Sequence, residues 1–378
     1  MELIVDRTVL ASELGLLQGI VEKRNTLPVL AHLLLRGEKA ESGPLGRAVL
    51  SATDLEIGLV TEFEAQCVRP GGLTVSAKKL FEIVRSLPDA DVHLQSRDGR
   101  TLSISCGRSQ YSLVGLPETE FPAIPVCPQK HEVELPRDLL VRLVSQTGFA
   151  ITTDESRFAV SGGLVVFGKG QLAIVATDGH RLAYAVGALP GAEPSPQILL
   201  PRKTLMELKR LLEGDEESLV FSRDDKHVFF RSKSRTMISR TLEGSFPQYE
   251  KVIPLGHPRV FTLDREELAA SVKRVAILSS DRTHAIKVGF TAERIELSAE
   301  SPDMGEAKEH IPYESSGPEL LVSFNAHYLL DFLSAVGTEK IEIRLKDSET
   351  QALFLPAGEP GQKVEDTPYR YVIMPMRV

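Results

Sequence analysis

Apolar positions along this chain switch between a period of two and a period of three to four, and the switches themselves recur. A strand-like run, Glu2-Leu3-Ile4-Val5, leads through Asp6 and Arg7 into Leu10, Leu14, Leu17 and Val21. The passage returns as Glu132-Val133-Glu134-Leu135-Pro136-Arg137, followed by Leu139, Leu140, Leu143 and Val144. It returns again as Val260-Phe261-Thr262-Leu263-Asp264-Arg265, followed by Leu268, Val272 and Val275. Spacings of three and four set these side chains on one helix face, and Pro136 and Asp264 stand where helices begin.

A second strand–helix–strand passage starts at Leu73, Ile198 and Leu320, with offsets of 125 and then 122 residues. A turn is shared as well: Leu50-Ser51-Ala52-Thr53-Asp54 matches Ile174-Val175-Ala176-Thr177-Asp178 and, more loosely, Leu297-Ser298-Ala299-Glu300-Ser301. Phe121-Pro122 likewise matches Phe246-Pro247. Independent landmarks with a common offset mean one unit of about 125 residues written three times. The pattern predicts helices over 7–24, 78–86, 136–144, 202–212, 264–275 and 324–336, two per unit, among short alternating strands. The expected fold is α+β: three similar domains, 1–127, 128–256 and 257–378, each with two helices packed on antiparallel sheets. The boundaries fall in the Pro-rich stretches Pro122–Pro128 and Pro254–Pro258. Units of this size hold their own cores, unlike solenoid repeats, so an arc or part of a ring is expected.

Composition changes this picture little. A 42% hydrophobic and 25% charged chain is an ordinary globular protein, and no apolar run reaches the roughly 18 residues of a membrane span. The N-terminus reads as a strand without an export signal, so a cytoplasmic location is expected. Cys67, Cys106 and Cys127 form no CxxC pair and read as reduced, mostly buried thiols, with a metal or redox role the weaker alternative. Charge changes more. The net charge of −8 argues against nucleic acid, yet the predicted helices sum to +6 and leave −14 for the rest. Lys78, Lys79, Arg137, Arg202, Lys203, Lys209 and Arg210 carry most of the excess and are candidate phosphate contacts. With no Trp, contact to a duplex backbone is favoured over base stacking.

Enzyme signatures are missing: no HExxH, no GxSxG, and Gln171 stands where a phosphate loop needs Ser or Thr after Gly168-Lys169-Gly170. The most site-like cluster is Thr177-Asp178-Gly179-His180-Arg181. Asp178 could orient His180 as a general base for a hydrolase. Thr53-Asp54 occupies the same place without a histidine, so a turn is the better reading, and Gly179–Leu182 is what the second copy holds privately. The C-terminus, Tyr371-Val372-Ile373-Met374-Pro375-Met376-Arg377-Val378, stays apolar to its end. Pro375 cannot continue a ladder, and two methionines beside it suit an adaptable pocket wall. A scaffold without DNA is a further alternative.

Five stretches taken together resemble one family: Thr26–Leu30, Ala52–Glu56, Ala176–Leu182, Phe246–Tyr249 and Tyr371–Arg377. Over its whole length the chain resembles the bacterial DNA polymerase III β subunit, the replicative sliding clamp. The resemblance implies a non-catalytic, cofactor-free processivity factor: a head-to-tail homodimer whose six domains ring duplex DNA without regard to sequence. It places Arg24, Arg202 and Lys203 at DNA-contacting positions. It implies a pocket for short linear motifs at Val160, Thr177, Gly179, His180, Arg181, Leu182, Pro247, Val252, Tyr328, Val372, Met374, Pro375, Met376 and Arg377. The partners implied are the polymerase α subunit, the clamp loader, repair polymerases, ligase and mismatch-repair proteins. The dimer seam falls at Lys79, Tyr111 and Leu113 against Ile277, Leu278, Asp303, Glu306 and Glu309. Departures from the family pattern are Val160 and Val378 for leucine, Lys251 for arginine, and a longer loop over Pro356–Pro368.

Overall fold

The computed structural model describes residues 1–22, 27–40, 45–128, 132–154, 156, 160–213, 217–302, 304–314, 317–358 and 363–377. Arg24, Asp303, Val378 and part of the 356–368 loop lie outside the described residues.

The first repeat runs β1 (Glu2–Val5), α1 (Arg7–Leu17), β2 (His32–Lys39), β3 (Leu45–Thr53), β4 (Ile57–Arg69), β5 (Gly71–Ser76), α2 (Ala77–Ser86), β6 (Val92–Gln95), β7 (Thr101–Cys106) and β8 (Ser109–Leu116). The second runs β9 (Val133–Pro136), α3 (Arg137–Thr147), β10 (Gly162–Gly168), β11 (Gln171–Thr177), β12 (Arg181–Ala188), β13 (Ile198–Pro201), α4 (Arg202–Leu211), β14 (Ser218–Arg223), β15 (His227–Arg231) and β16 (Arg235–Arg240). The third runs β17 (Arg259–Asp264), α5 (Arg265–Ala276), β18 (Ala285–Phe290), β19 (Arg294–Ser301), β20 (Gly305–Pro312), β21 (Leu320–Asn325), α6 (Ala326–Ala335), β22 (Lys340–Leu345), β23 (Ala352–Pro356) and β24 (Tyr369–Ile373). Each repeat is thus strand, helix and three strands, written twice, and all strand pairs are antiparallel.

The helices start where side chains can satisfy their free amides. Asp6 accepts from Thr8 and Val9 N–H at 2.8 and 2.9 Å, and Asp264 accepts from Glu267 N–H at 2.8 Å. Leu10, Leu14 and Leu17 of α1, and Leu268, Val272 and Val275 of α5, are buried as their spacing requires. α1 ends seven residues short of the expected 7–24, at Leu17. The chain turns at Gly19, where a Cβ would collide with the Glu207 carboxylate. Ending α1 at Leu17 drops one net positive charge and starting α5 after Asp264 restores it, so the six helices still sum to +6.

An arginine opens the first helix of every repeat and reaches across to the end of the second. Arg7 donates to the carbonyls of Val84 and Arg85 at 3.2 and 2.7 Å, and Arg137 to Leu212 at 2.7 Å. Arg265 donates to Leu333 and Thr338 at 3.3 and 2.9 Å. A cation on the last carbonyls of a helix satisfies orphan acceptors and complements the helix dipole.

The strands form two compact units. The first comprises residues 1–138 and 206–241 and holds one 12-stranded sheet, in the order β1-β6-β7-β8-β5-β2-β3-β4-β16-β15-β14-β9. β16 continues the first repeat's sheet through pairs such as Val60↔Thr236 and Gly58↔Ile238. A salt bridge between Glu13 and Arg235, with side chains 9% and 16% exposed, fastens α1 within this unit. The second unit comprises 139–205 and 242–378, with an eight-stranded sheet (β13-β10-β11-β12-β24-β23-β22-β17) and a four-stranded one (β20-β19-β18-β21). Here β24 adds to β12, pairing Arg181 with Ile373 and Leu182 with Val372.

Candidate peptide pocket and strand edges

The turn between β11 and β12 is built by side chains bonding their own backbone. The Thr177 hydroxyl donates to the Arg181 carbonyl at 2.6 Å and accepts from Gly179 N–H at 3.1 Å. Asp178 accepts from the N–H groups of His180 and Arg181 at 2.9 and 3.0 Å. Gly179 has φ 88°, a left-handed conformation that glycine adopts without cost. The first repeat makes the same turn. The Thr53 hydroxyl bonds the Ile57 carbonyl at 2.9 Å and Leu55 N–H at 3.0 Å, and Asp54 accepts from Glu56 and Ile57 N–H at 2.9 and 2.7 Å. There a leucine, Leu55, holds φ 79°. Asp54 and Asp178 therefore shape the same turn in their two copies, and the private residues Gly179 and His180 stand exposed at the tip of the second.

Arg181 replaces the buried Ile57 of the first copy and turns the site polar underneath. Its guanidinium bonds Asp178 at 3.0 Å, Asp331 of α6 at 2.5 Å and the Phe149 carbonyl at 2.7 Å, with 10% of the side chain exposed. Its Cζ lies 4.3 Å from the Tyr328 ring centre and 5.3 Å from that of Phe149. Burial works against the charge, but Tyr371, Asp331 and Asp178 outweigh it and hold the guanidinium's pKa above its ordinary value. Burial pushes the Tyr371 and Tyr328 phenols upward, so both stay neutral donors. The Tyr371 hydroxyl bonds the Tyr328 carbonyl at 3.1 Å.

The tail lies beside this turn. Met374 N–H donates to the His180 carbonyl at 2.8 Å, and Met376 N–H to Ser323 of β21 at 2.8 Å, which carries the chain past Pro375. Leu182, Val372 and Ile253 share one apolar cluster, with Val252 and Tyr249 packed against it. Met374 remains 42% exposed, and Pro247 and Arg377 are exposed too, while Val160 is buried. The structure thus joins the turn, Tyr328, the strand pair Leu182–Val372 and the methionine tail into one apolar surface with a polar rim. Asp331 and Phe149 escaped the sequence reading. Asp331 is the one carboxylate in α6, and that isolation was its only signal.

The basic candidates divide. Lys78 and Lys79 on α2 are 72% and 61% exposed and lean on Glu82 at 3.8 and 2.8 Å. Arg202 is exposed, and Lys203 and Lys209 are half-buried. Arg137 is committed to the Leu212 carbonyl, and Arg210 bonds the Gly15 carbonyl at 2.5 Å and faces Glu207 at 3.6 Å. These two brace backbone before they meet any phosphate.

Each unit also has an open strand edge among the described residues. In the first, Ser109–Val114 of β8 pair β7, while β5 takes only Gly115 and Leu116. Tyr111 and Val114 are 40% and 77% exposed there, and Leu113 is half-buried. In the second, β20 pairs β19 alone. Glu306 pairs Lys308 at 2.5 Å, and Glu309 takes Ser271 and Arg274 Nε at 2.7 and 2.9 Å. Ile277 and Leu278 follow α5, Ile277 73% exposed. Charges on an edge blunt indiscriminate pairing.

Repeated modules whose most reactive-looking turn is structural, with an apolar surface and open strand edges, have the features of an assembly protein. Family profiles agree: DNA polymerase III beta subunit N-terminal, central and C-terminal domains match residues 1–125, 134–248 and 250–377. The chain is 36% identical to the beta sliding clamp of Caulobacter vibrioides and 34% identical to that of Pseudomonas putida, over the full length of each. The crystal structure of the Caulobacter crescentus DNA polymerase sliding clamp matches at 35% identity and TM-score 0.88, and the griselimycin-bound clamp of Pseudomonas aeruginosa at 33% and 0.89, each covering both chains entirely. The chain belongs to the DNA polymerase III beta subunit family. It is a sliding clamp of DNA replication, a processivity factor without a catalytic step of its own.

Proposed function

We propose that two copies close head to tail into a six-domain ring around duplex DNA and tether the replicative polymerase there. The observation that carries this reading is a threefold repeat with one open strand edge in its first copy and another in its third. Pairing β8 of one protomer with β20 of the next is a heterologous contact, and such contacts close into rings when the rotation allows. Tyr111, Leu113, Ile277 and Leu278 supply its apolar centre, with Lys79, Asp303, Glu306 and Glu309 at the rim. The domains are 1–127, 128–256 and 257–378. Lys78, Lys79, Arg202, Lys203, Lys209 and Arg24 offer weak, sequence-blind phosphate contacts, with Arg137 and Arg210 in supporting roles. Topology rather than affinity then keeps an acidic protein on DNA.

The surface around His180, Tyr328 and Met374 docks short linear motifs from the polymerase α subunit, the clamp loader, repair polymerases, ligase and mismatch-repair proteins. A clamp solved with griselimycin bound supports a ligand pocket in this family. The place of action is the cytoplasm, at the nucleoid. His180→Ala and Met374→Asp test the pocket: co-purification of the polymerase α subunit is lost while dimer mass and retention on DNA persist. Unchanged capture by both variants refutes the pocket. A monomeric mass at micromolar concentration refutes the ring.

A further inference from the structure

The internal repeat exposes a difference between the two units that none of the sites above uses. In the second unit, the outer face of β12 is sealed by aromatic rings. Tyr184 stacks on Tyr249 with ring centres 5.9 Å apart, and the Arg370 guanidinium lies 4.3 Å over Tyr184. Tyr249 comes from the Phe246–Ile253 segment that crosses this face.

The register gives the counterparts. Tyr184 faces Val175 and Arg370, and Val60 faces Ser51 and Thr236 in the same ladder positions. Counting from Phe246-Pro247 and Phe121-Pro122, Tyr249 corresponds to Ile124. The first unit therefore has Val60 and Ile124 where the second has two rings. In place of the rings there is a cavity of about 660 Å³ under the Glu118–Cys127 segment. Val60, Ile124, Ile238 and the 89% exposed Val126 line it. Arg36 lines it too, in a loose pair with Glu118 at 3.6 Å, its side chain 48% exposed. Leu35↔Leu73 and Val165↔Ile198 put Arg36 where the second unit has Val166.

We propose that this cavity is a second docking site, which takes an aromatic side chain from a short peptide segment of a partner protein. The second unit shows the chemistry that fills such a slot: a tyrosine that opens a short helical turn, Tyr249–Lys251, on the crossing segment, stacked on a second ring that carries a cation. Arg36 offers the cation here, matched to the negative face of an incoming ring. The volume lies within the ordinary range for ligand pockets, roughly 300–1,000 Å³.

The test uses the full-length protein and a synthetic peptide with the sequence of residues 246–253, followed by methyl NMR. Saturable shifts at Ile124, Ile238 and Val60 are expected, with binding roughly tenfold weaker when the peptide's tyrosine is alanine. Val60→Tyr supplies the ring from the protein itself and abolishes the shifts. Ile124→Tyr does the same from a half-exposed position if Val60→Tyr folds poorly. The proposal is overturned by no saturation up to millimolar peptide, by shifts confined to the Met374 surface, or by binding that ignores the tyrosine or both variants.

Discussion

Replacing Arg181 with alanine removes the group that ties the private turn of the second repeat to α6 and the tail. The guanidinium holds Asp178, Asp331 and the Phe149 carbonyl, and is 10% exposed. Breaking a buried ion pair costs about 3–5 kcal/mol, because the remaining charge loses its partner. Asp331 keeps 39% of its side chain in solvent and can rehydrate, so the lower end, about 3 kcal/mol, applies. The guanidinium's pKa is raised, so its contribution persists at every pH below its unfolded value and is lost only far into alkali. The assay is urea unfolding followed by far-ultraviolet circular dichroism, since the chain has no Trp. Arg181→Lys keeps the charge but not the fork and falls between. A loss below about 1 kcal/mol for Arg181→Ala, the worth of an exposed pair, refutes the reasoning.

Three further outcomes follow from the geometry. Leu55→Gly relieves a leucine held at φ 79° and raises stability by about 1 kcal/mol, which the denaturant midpoint reports. Arg265→Ala strips two carbonyls at the end of α6 of a charged donor and costs about 2 kcal/mol, a loss that Arg7→Ala matches. Glu309 is held down from 4.5 to about 2 by hydrogen bonds from Arg274 and Ser271, so its contribution is present above pH 4.5 and lost as the pH falls toward 2. Glu309→Gln flattens the stability–pH curve in that window, as pH-dependent melting would show.

Much of this fold was legible because its landmarks repeat. Asp6 and Asp264 cap helices where the spacing begins, and the match to Thr53-Asp54 marks Thr177-Asp178 as a turn, which its hydrogen bonds bear out. Val21 misled the end of α1, since apolar spacing continued past a glycine that a neighbouring carboxylate forces to stay small. The joining of repeats by β4–β16 and β12–β24 was not legible, because every half-buried strand carries the same alternation whichever neighbour it meets. The anchoring of Arg181 was hidden for another reason. Its partner Asp331 lies 150 residues away, and no local pattern links them. Helix charge pointed to Arg137 as a phosphate contact, and it gave no sign that the equivalent arginine in all three repeats braces a helix end.

The most direct test of the ring loads the protein onto closed circular DNA with its clamp loader and then cuts the circle once. A topological clamp stays on the circle at moderate salt and leaves when it is linearised, since weak phosphate contacts alone cannot hold it. Protein that remains bound after the cut, under the same salt, contradicts the account.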